Sequence, residues 1–146
     1  MSNRVIAAFP VATDKLVAWF DGGSSRIFQS EELGIGDADD LGAFEISTDY
    51  TRIAWANGKS YDAAELYSKG AEIDIVSSEK KRLLKGLSRI RRDSSFSQTR
   101  LGDAAGIRQS VISRIEGCEI SPQINTLLKL LAPLGKTLVI VDLKER

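Results

Sequence analysis

The apolar residues change their spacing partway along the chain, and one type of secondary structure cannot satisfy both spacings. In the first half they come in short runs bounded by turn residues. VIAAF (Val5 to Phe9) and KLVAWF (Lys15 to Phe20) flank Pro10 and the polar pair Thr13-Asp14. Asp21-Gly22-Gly23 then leads into SSRIFQ, where an Asp-Gly step tolerates the positive φ of a tight hairpin. TRIAWANG (Thr51 to Gly58) puts Ile53 and Trp55 on one face of a strand and ends in an Asn57-Gly58 turn. SYDAAELYSKG predicts a short helix, capped by Ser60 and stopped by Gly70. From Ser77 the spacing becomes helical. SSEKKRLLKGLSRIRRD carries Leu83, Leu84, Leu87 and Ile90 as a buried stripe, surrounded by Lys80, Lys81, Arg82, Lys85, Arg89, Arg91 and Arg92. NTLLKLLAPLG is helical up to Pro133 and closed by Gly135, after which Thr137 to Val141 set five strand-favouring residues in a row. The expected class is α+β: a small β-rich α+β domain over residues 1–72, a junction around Ala71 to Ser77, and a helical domain with a C-terminal β-strand over residues 78–146.

Composition narrows the chemistry. A length of 146 residues allows one medium domain or two of about 70 residues each. With 42% hydrophobic and 27% charged residues, the chain has the make-up of a soluble globular protein. The single cysteine, Cys118, excludes an internal disulfide, and the start MSNRVIAAFP lacks a signal-peptide pattern. No apolar run approaches the ~20 residues of a membrane span. The expectation is a cytoplasmic protein without a membrane partner. The chain has no histidine, so the usual zinc sets and the Ser-His-Asp or Cys-His nucleophile pairs cannot form. No other catalytic constellation is present, so no enzyme activity, metal or cofactor is expected. Met1 to Ser77 hold six Lys and Arg against 13 Asp and Glu, a formal net of −7, whereas Ser78 to Arg146 stand at +7. Such a division suggests a nucleic-acid-binding unit joined to something else.

Within the basic half, FSQTRLGDAAGIRQSVISRIEG (Phe96 to Gly117) has the pattern of two packed helices. Gly102 and Ala105 are small where the helices meet, Gly106 marks the turn, and Leu101, Ile107, Ile112 and Ile115 supply apolar contacts. On these residues, and on Ser97-Gln98, Gln109-Ser110, Ser113-Arg114, Glu116-Gly117, Pro122 and Leu127-Leu128, the region Phe96 to Leu134 resembles the Cro/CI-type (Xre), lambda-repressor-like helix-turn-helix family. The resemblance implies a five-helix bundle that dimerises on pseudo-palindromic double-stranded DNA, so the protein is expected to be a repressor-like, autoregulatory transcriptional regulator. Arg100 replaces the acidic residue of a capping box, and Arg108 stands where the family often has a Ser or Thr cap. In this motif the start of the second helix enters the major groove. Gln109, Ser110, Ser113 and Arg114 are the expected base-contacting residues, with Gln109 suited to adenine. Arg114 has three candidate roles: reading guanine, holding a phosphate, or pairing with Glu116. Gln98, Arg100 and Arg108 are the expected phosphate contacts. The ending LAPLGKTLVIV resembles that of antitoxin-type repressors, whose strands pair across a homodimer axis.

The acidic half offers less chemistry. VIAAFPVATDKLVAWFDGGSSRIF and IAWANGKSYDAAELY resemble, over Arg4 to Tyr67, a small bacterial domain family of unknown function found alone or fused to helix-turn-helix domains. That resemblance implies a module for a partner or signal. If the protein is an antitoxin, the partner is a small basic toxin; if it is a sensor, the ligand is a small molecule. A third reading is a protein-interaction adaptor that does not bind DNA. GIGDADDLG brings Asp37, Asp39 and Asp40 together, but Thr48 stands where a calcium loop needs a bidentate Glu, which makes this a solvated loop. Trp19, Trp55, Tyr61 and Tyr67 read as core rather than as a ligand pocket, and Cys118 as a loop residue rather than a redox switch.

Overall fold

Seven strands and one short helix form the first part of the computed structural model, which describes residues 3–144. The strands are β1 (Val5–Ala12), β2 (Lys15–Phe20), β3 (Ser25–Gln29), β4 (Phe44–Ile46), β5 (Arg52–Trp55), β6 (Ser60–Asp62) and β7 (Ala71–Ile73), with α1 at Ala63–Lys69. An antiparallel sheet has the order β1-β2-β3-β7, and a smaller one the order β4-β5-β6. The fold is mixed α+β.

Two local expectations shift. β1 runs through Pro10, because an edge strand tolerates a residue without an N–H and the register slips between Pro10 and Ala12. Ser60 is not the cap of α1. The Asn57-Gly58 turn folds β6 back on β5, pairing Tyr61 with Ile53, and this ladder takes Ser60 and leaves Asp62 as the residue before the helix. Ile53 and Trp55 are buried on one face, as their alternation requires. They join Leu16, Phe20, Phe28, Leu33 and Leu66 in one core. Trp55 donates its ring N–H to Leu41 O at 2.9 Å, while Tyr61 and Tyr67 pack at the margin of this core. The loop carboxylates serve their own backbone: Asp39 accepts from the N–H of Gly36 at 3.2 Å, and Asp40 from that of Gly42 at 2.9 Å.

The second unit, Val76–Val141, is helical. α2 (Ile75–Asp93) begins two residues earlier than the spacing suggested; α3 (Gln98–Ala105), α4 (Gln109–Glu116) and α5 (Ile124–Leu131) follow. A single 3₁₀ turn, Ala132–Leu134, carries α5 on to its stop at Pro133 and Gly135, and among the described residues this unit has four α-helices where the resemblance implied five. The buried stripe of α2 is Leu84, Leu87 and Arg91, whereas Leu83 is exposed. With Leu101, Ile112, Ile115, Leu127, Leu130 and Leu131, the two leucines of that stripe form a second core. The expected C-terminal strand is absent among the described residues: 136–144 lie in neither helix nor strand. A strand exists only as part of a ladder, and among the described residues Thr137 to Val141 join none. Among the described residues, no helix is long and apolar enough to cross a membrane.

Candidate nucleic-acid interface

The interface is built by the α3–turn–α4 segment, and its local rules are visible in the chain. Ser97 caps α3, its Oγ accepting from the N–H of Arg100 at 3.0 Å. Gly106 ends the helix in the left-handed region at φ 70°, which glycine adopts without strain. Gly102 sits against the turn so closely that a Cβ would stand 2.4 Å from Ile107 O. Only glycine fits there. α4 then starts at Gln109, and Arg108, the residue before it, makes no side-chain cap.

Ile112 and Ile115 are fully buried and fix the rotation of α4. That rotation leaves Gln109, Ser110, Ser113 and Arg114 exposed. Their i, i+1, i+4, i+5 spacing puts them on one face, and all four expected base-contacting residues therefore share one surface. Of the expected phosphate contacts, Gln98 is half-buried at the start of α3 and accepts from Gln109 Nε2 at 2.7 Å. Arg108 is exposed at the turn. Arg100 is exposed too, and its guanidinium lies 4.3 Å over the Phe96 ring. Arg114 does not pair with Glu116. Its Nε lies 4.0 Å from Glu119 Oε2, with both side chains largely in water, so this contact is weak.

Sequence reasoning missed the pair that holds this surface in place. Arg91, counted above among the surface cations of α2, is buried. Its Nε donates to both carboxylate oxygens of Glu116 at 2.9 and 3.0 Å, and its Nη2 donates to Oε1 at 2.8 Å. Its Nη1 donates to Phe96 O at 2.7 Å. One guanidinium thus ties α2 to the end of α4 and to the segment before α3. Burial raises the pKa of Glu116, but hydrogen bonds from Arg91 and Ser88, the charge of Arg91 and a hydrogen bond from Gln98 outweigh it, leaving the carboxyl below its ordinary value. The available signal was spacing, since Arg91 falls four residues after Leu87 and seven after Leu84.

Two short helices joined at a glycine, with the second locked by its apolar face and its polar face outward, define a helix-turn-helix unit. Residues 79–141 match the helix-turn-helix family model. Over 64 residues the chain is 48% identical to an uncharacterized HTH-type transcriptional regulator of Haemophilus influenzae. That match spans 44% of this chain and 65% of the relative, a little under two thirds of its length. A solved toxin-antitoxin module from Streptococcus pneumoniae aligns at 33% identity over 57% of this chain and 84% of that one, with a TM-score of 0.40.

Proposed function

We propose that the protein is a sequence-specific DNA-binding transcriptional regulator of repressor type, which binds a pseudo-palindromic operator as a homodimer and controls its own synthesis. The observation that carries this reading is the polar face of α4, held outward by the buried Ile112 and Ile115. Gln109 pairs with adenine, Ser110 and Ser113 make short contacts to bases, and Arg114 reads guanine or holds a phosphate. Gln98, Arg100 and Arg108 hold the backbone beside them. The apolar Val139, Ile140 and Val141 are exposed in the single chain and would gain a ladder partner in a second copy. The acidic N-terminal half, at −7, is the part of the chain suited to a basic partner protein.

Selection of bound sites from random DNA with the full chain, followed by salt titration on the winner, tests the whole reading. The selected site should show two-fold symmetry, and its affinity should fall steeply with salt. Gln109→Ala should cost about 1–3 kcal/mol on that site and little on random DNA. Equal losses on both would remove Gln109 as a base reader, and salt-independent binding would remove the DNA function.

A further inference from the structure

One face of α2 carries positive charge without interruption. Arg82, Lys85, Arg89 and Arg92 follow one another at i, i+3, i+7 and i+10, with Lys81 beside them, and all five are exposed. From Arg82 to Arg92 the stripe runs about 15 Å along the helix. It lies across α2 from Leu84 and Leu87, the buried leucines that join Ile112 and Ile115 of α4 in the helical core. The stripe is therefore a surface of its own, on a different helix from the proposed base readers. Two acidic residues, Glu79 and Asp93, stand toward the ends of α2. Glu79 pairs with Arg82 at 3.1 Å. Arg92 Nε donates to Ser88 O at 3.3 Å, a backbone contact that leaves its charge unneutralised. Lys81, Lys85 and Arg89 meet no carboxylate among the described residues. Lys81 and Lys85 are four residues apart, as are Lys85 and Arg89, and like charges at that spacing repel along a helix. An anionic partner relieves that repulsion.

The composition of the stripe decides what that partner is. It holds no aromatic or apolar side chain, the anchors that fix a protein partner in place. The apolar side of α2 is already buried in the core, so this helix has none to offer a lipid surface. What the face can recognise is negative charge set in a row. Duplex DNA presents that, with a phosphate every ~3.4 Å of axis on each strand. We propose that the outer face of α2 is a second DNA surface, which holds phosphates outside the base pairs read by α4. It rests on the reading of the chain as a DNA-binding protein and adds to it a contact that ignores sequence. Each phosphate neutralised releases counterions, so the contact is read in the salt dependence of binding.

Lys85→Gln combined with Arg89→Gln, in the full chain, tests this. Both residues are exposed and the change removes like-charge repulsion, so the variant should fold and melt no lower than the native protein. Binding is measured on the selected operator trimmed to its shortest form, and on the same site extended by about two helical turns of random sequence on each side. A third arm adds a labelled random duplex to the complex already formed on the trimmed operator. The extended site reports flanking DNA, and the added duplex reports a second segment. In at least one of these two arms the native protein should gain affinity on the order of tenfold at low salt, and the variant should lose that gain, its salt slope falling by about two. Affinity for the trimmed operator should stay within about twofold. Lys129→Gln with Lys136→Gln removes the same charge away from the stripe and should leave the gain intact. The proposal is overturned if the variant keeps the gain in both arms, as it would were the occupant an acidic protein. It is overturned equally if the trimmed operator suffers the same loss, or if the control pair does. Should selection yield no operator while the variant still loses affinity and salt slope on random duplex and the control pair does not, the stripe stands, and the sequence-specific reading of α4 is what fails.

Discussion

The contact between α3 and the turn gives the sharpest test of the helix-turn-helix geometry, through Gly102→Ala. The added methyl carbon would lie 2.4 Å from Ile107 O, where ordinary contacts start at 3.4 Å, and it would also press on Ile112 Cδ1 at 3.3 Å. The obstacle is backbone, which cannot rotate aside. Separating the two segments would also strain the bond from Ile107 N–H to Gly102 O, now 3.0 Å. Overpacking costs about 1–3 kcal/mol, and a rigid backbone obstacle argues for the upper end. A lost hydrogen bond adds about 1 kcal/mol, and the better helix propensity of alanine returns about 1 kcal/mol. The net is about 3 kcal/mol, a fall of about 12–24 °C in the melting temperature of a unit this small. Gly86→Ala is the control. It lies inside α2 with nothing within 4 Å of an added Cβ, and it should stabilise by ~0.5–1 kcal/mol. Both tryptophans, Trp19 and Trp55, belong to the N-terminal unit, so fluorescence follows that unit, while ellipticity at the helical band follows chiefly α2 to α5. A Gly102→Ala protein whose ellipticity melts within about 0.5 kcal/mol of the native protein would refute the packing argument.

Two further outcomes follow from the buried pair. Arg91→Met should destabilise the helical unit by about 3–5 kcal/mol, because it strands a carboxylate that is 7% exposed. Arg91→Met combined with Glu116→Leu should recover most of that loss, and thermal melts in which the double variant is no better than the single one would contradict this account. Acid should also weaken the helical unit. The pKa of Glu116 lies lower in the folded chain, so the unfolded chain binds the extra proton first, and stability is complete above the ordinary carboxylate pKa and lost as pH falls through the folded value. Urea midpoints of the ellipticity should drop across that interval in the native protein and drop less in the double variant; parallel slopes would assign the acid sensitivity to other groups.

Most of the fold could be read from local rules because most of it is local. β2 follows from a continuous apolar run bounded by turn residues, β5 from alternation, and α3 and α4 from a serine cap, a left-handed glycine and a glycine at a close approach. What failed depended on which strands pair with which. Ser60 reads as a cap until β6 pairs with β5, and β7 reads as a junction until it pairs with β3. Thr137 to Val141 read as a strand because their side chains favour one, but propensity supplies no ladder. The exposed face of α4 could be read because burial of Ile112 and Ile115 decides it, and that needs only the helical period.

Arg91 and Glu116 show how far spacing alone can reach. Charged residues belong at the surface by default, and Arg91 is one of many cations on α2. Yet Arg91 continues the stripe of Leu84 and Leu87, while Glu116 lies one turn beyond Ile112 on α4. Each is a charge placed where the helical period demands an apolar side chain. A lone buried charge is too costly to keep, so two such positions of opposite sign in one domain imply each other, even 25 residues apart. The same logic extends to the third group: a guanidinium has more N–H donors than one carboxylate can satisfy, and Phe96 O takes the Nη1 donor. Spacing can therefore find a buried pair, but which N–H of Arg91 meets which carboxylate oxygen is set only by the packed structure.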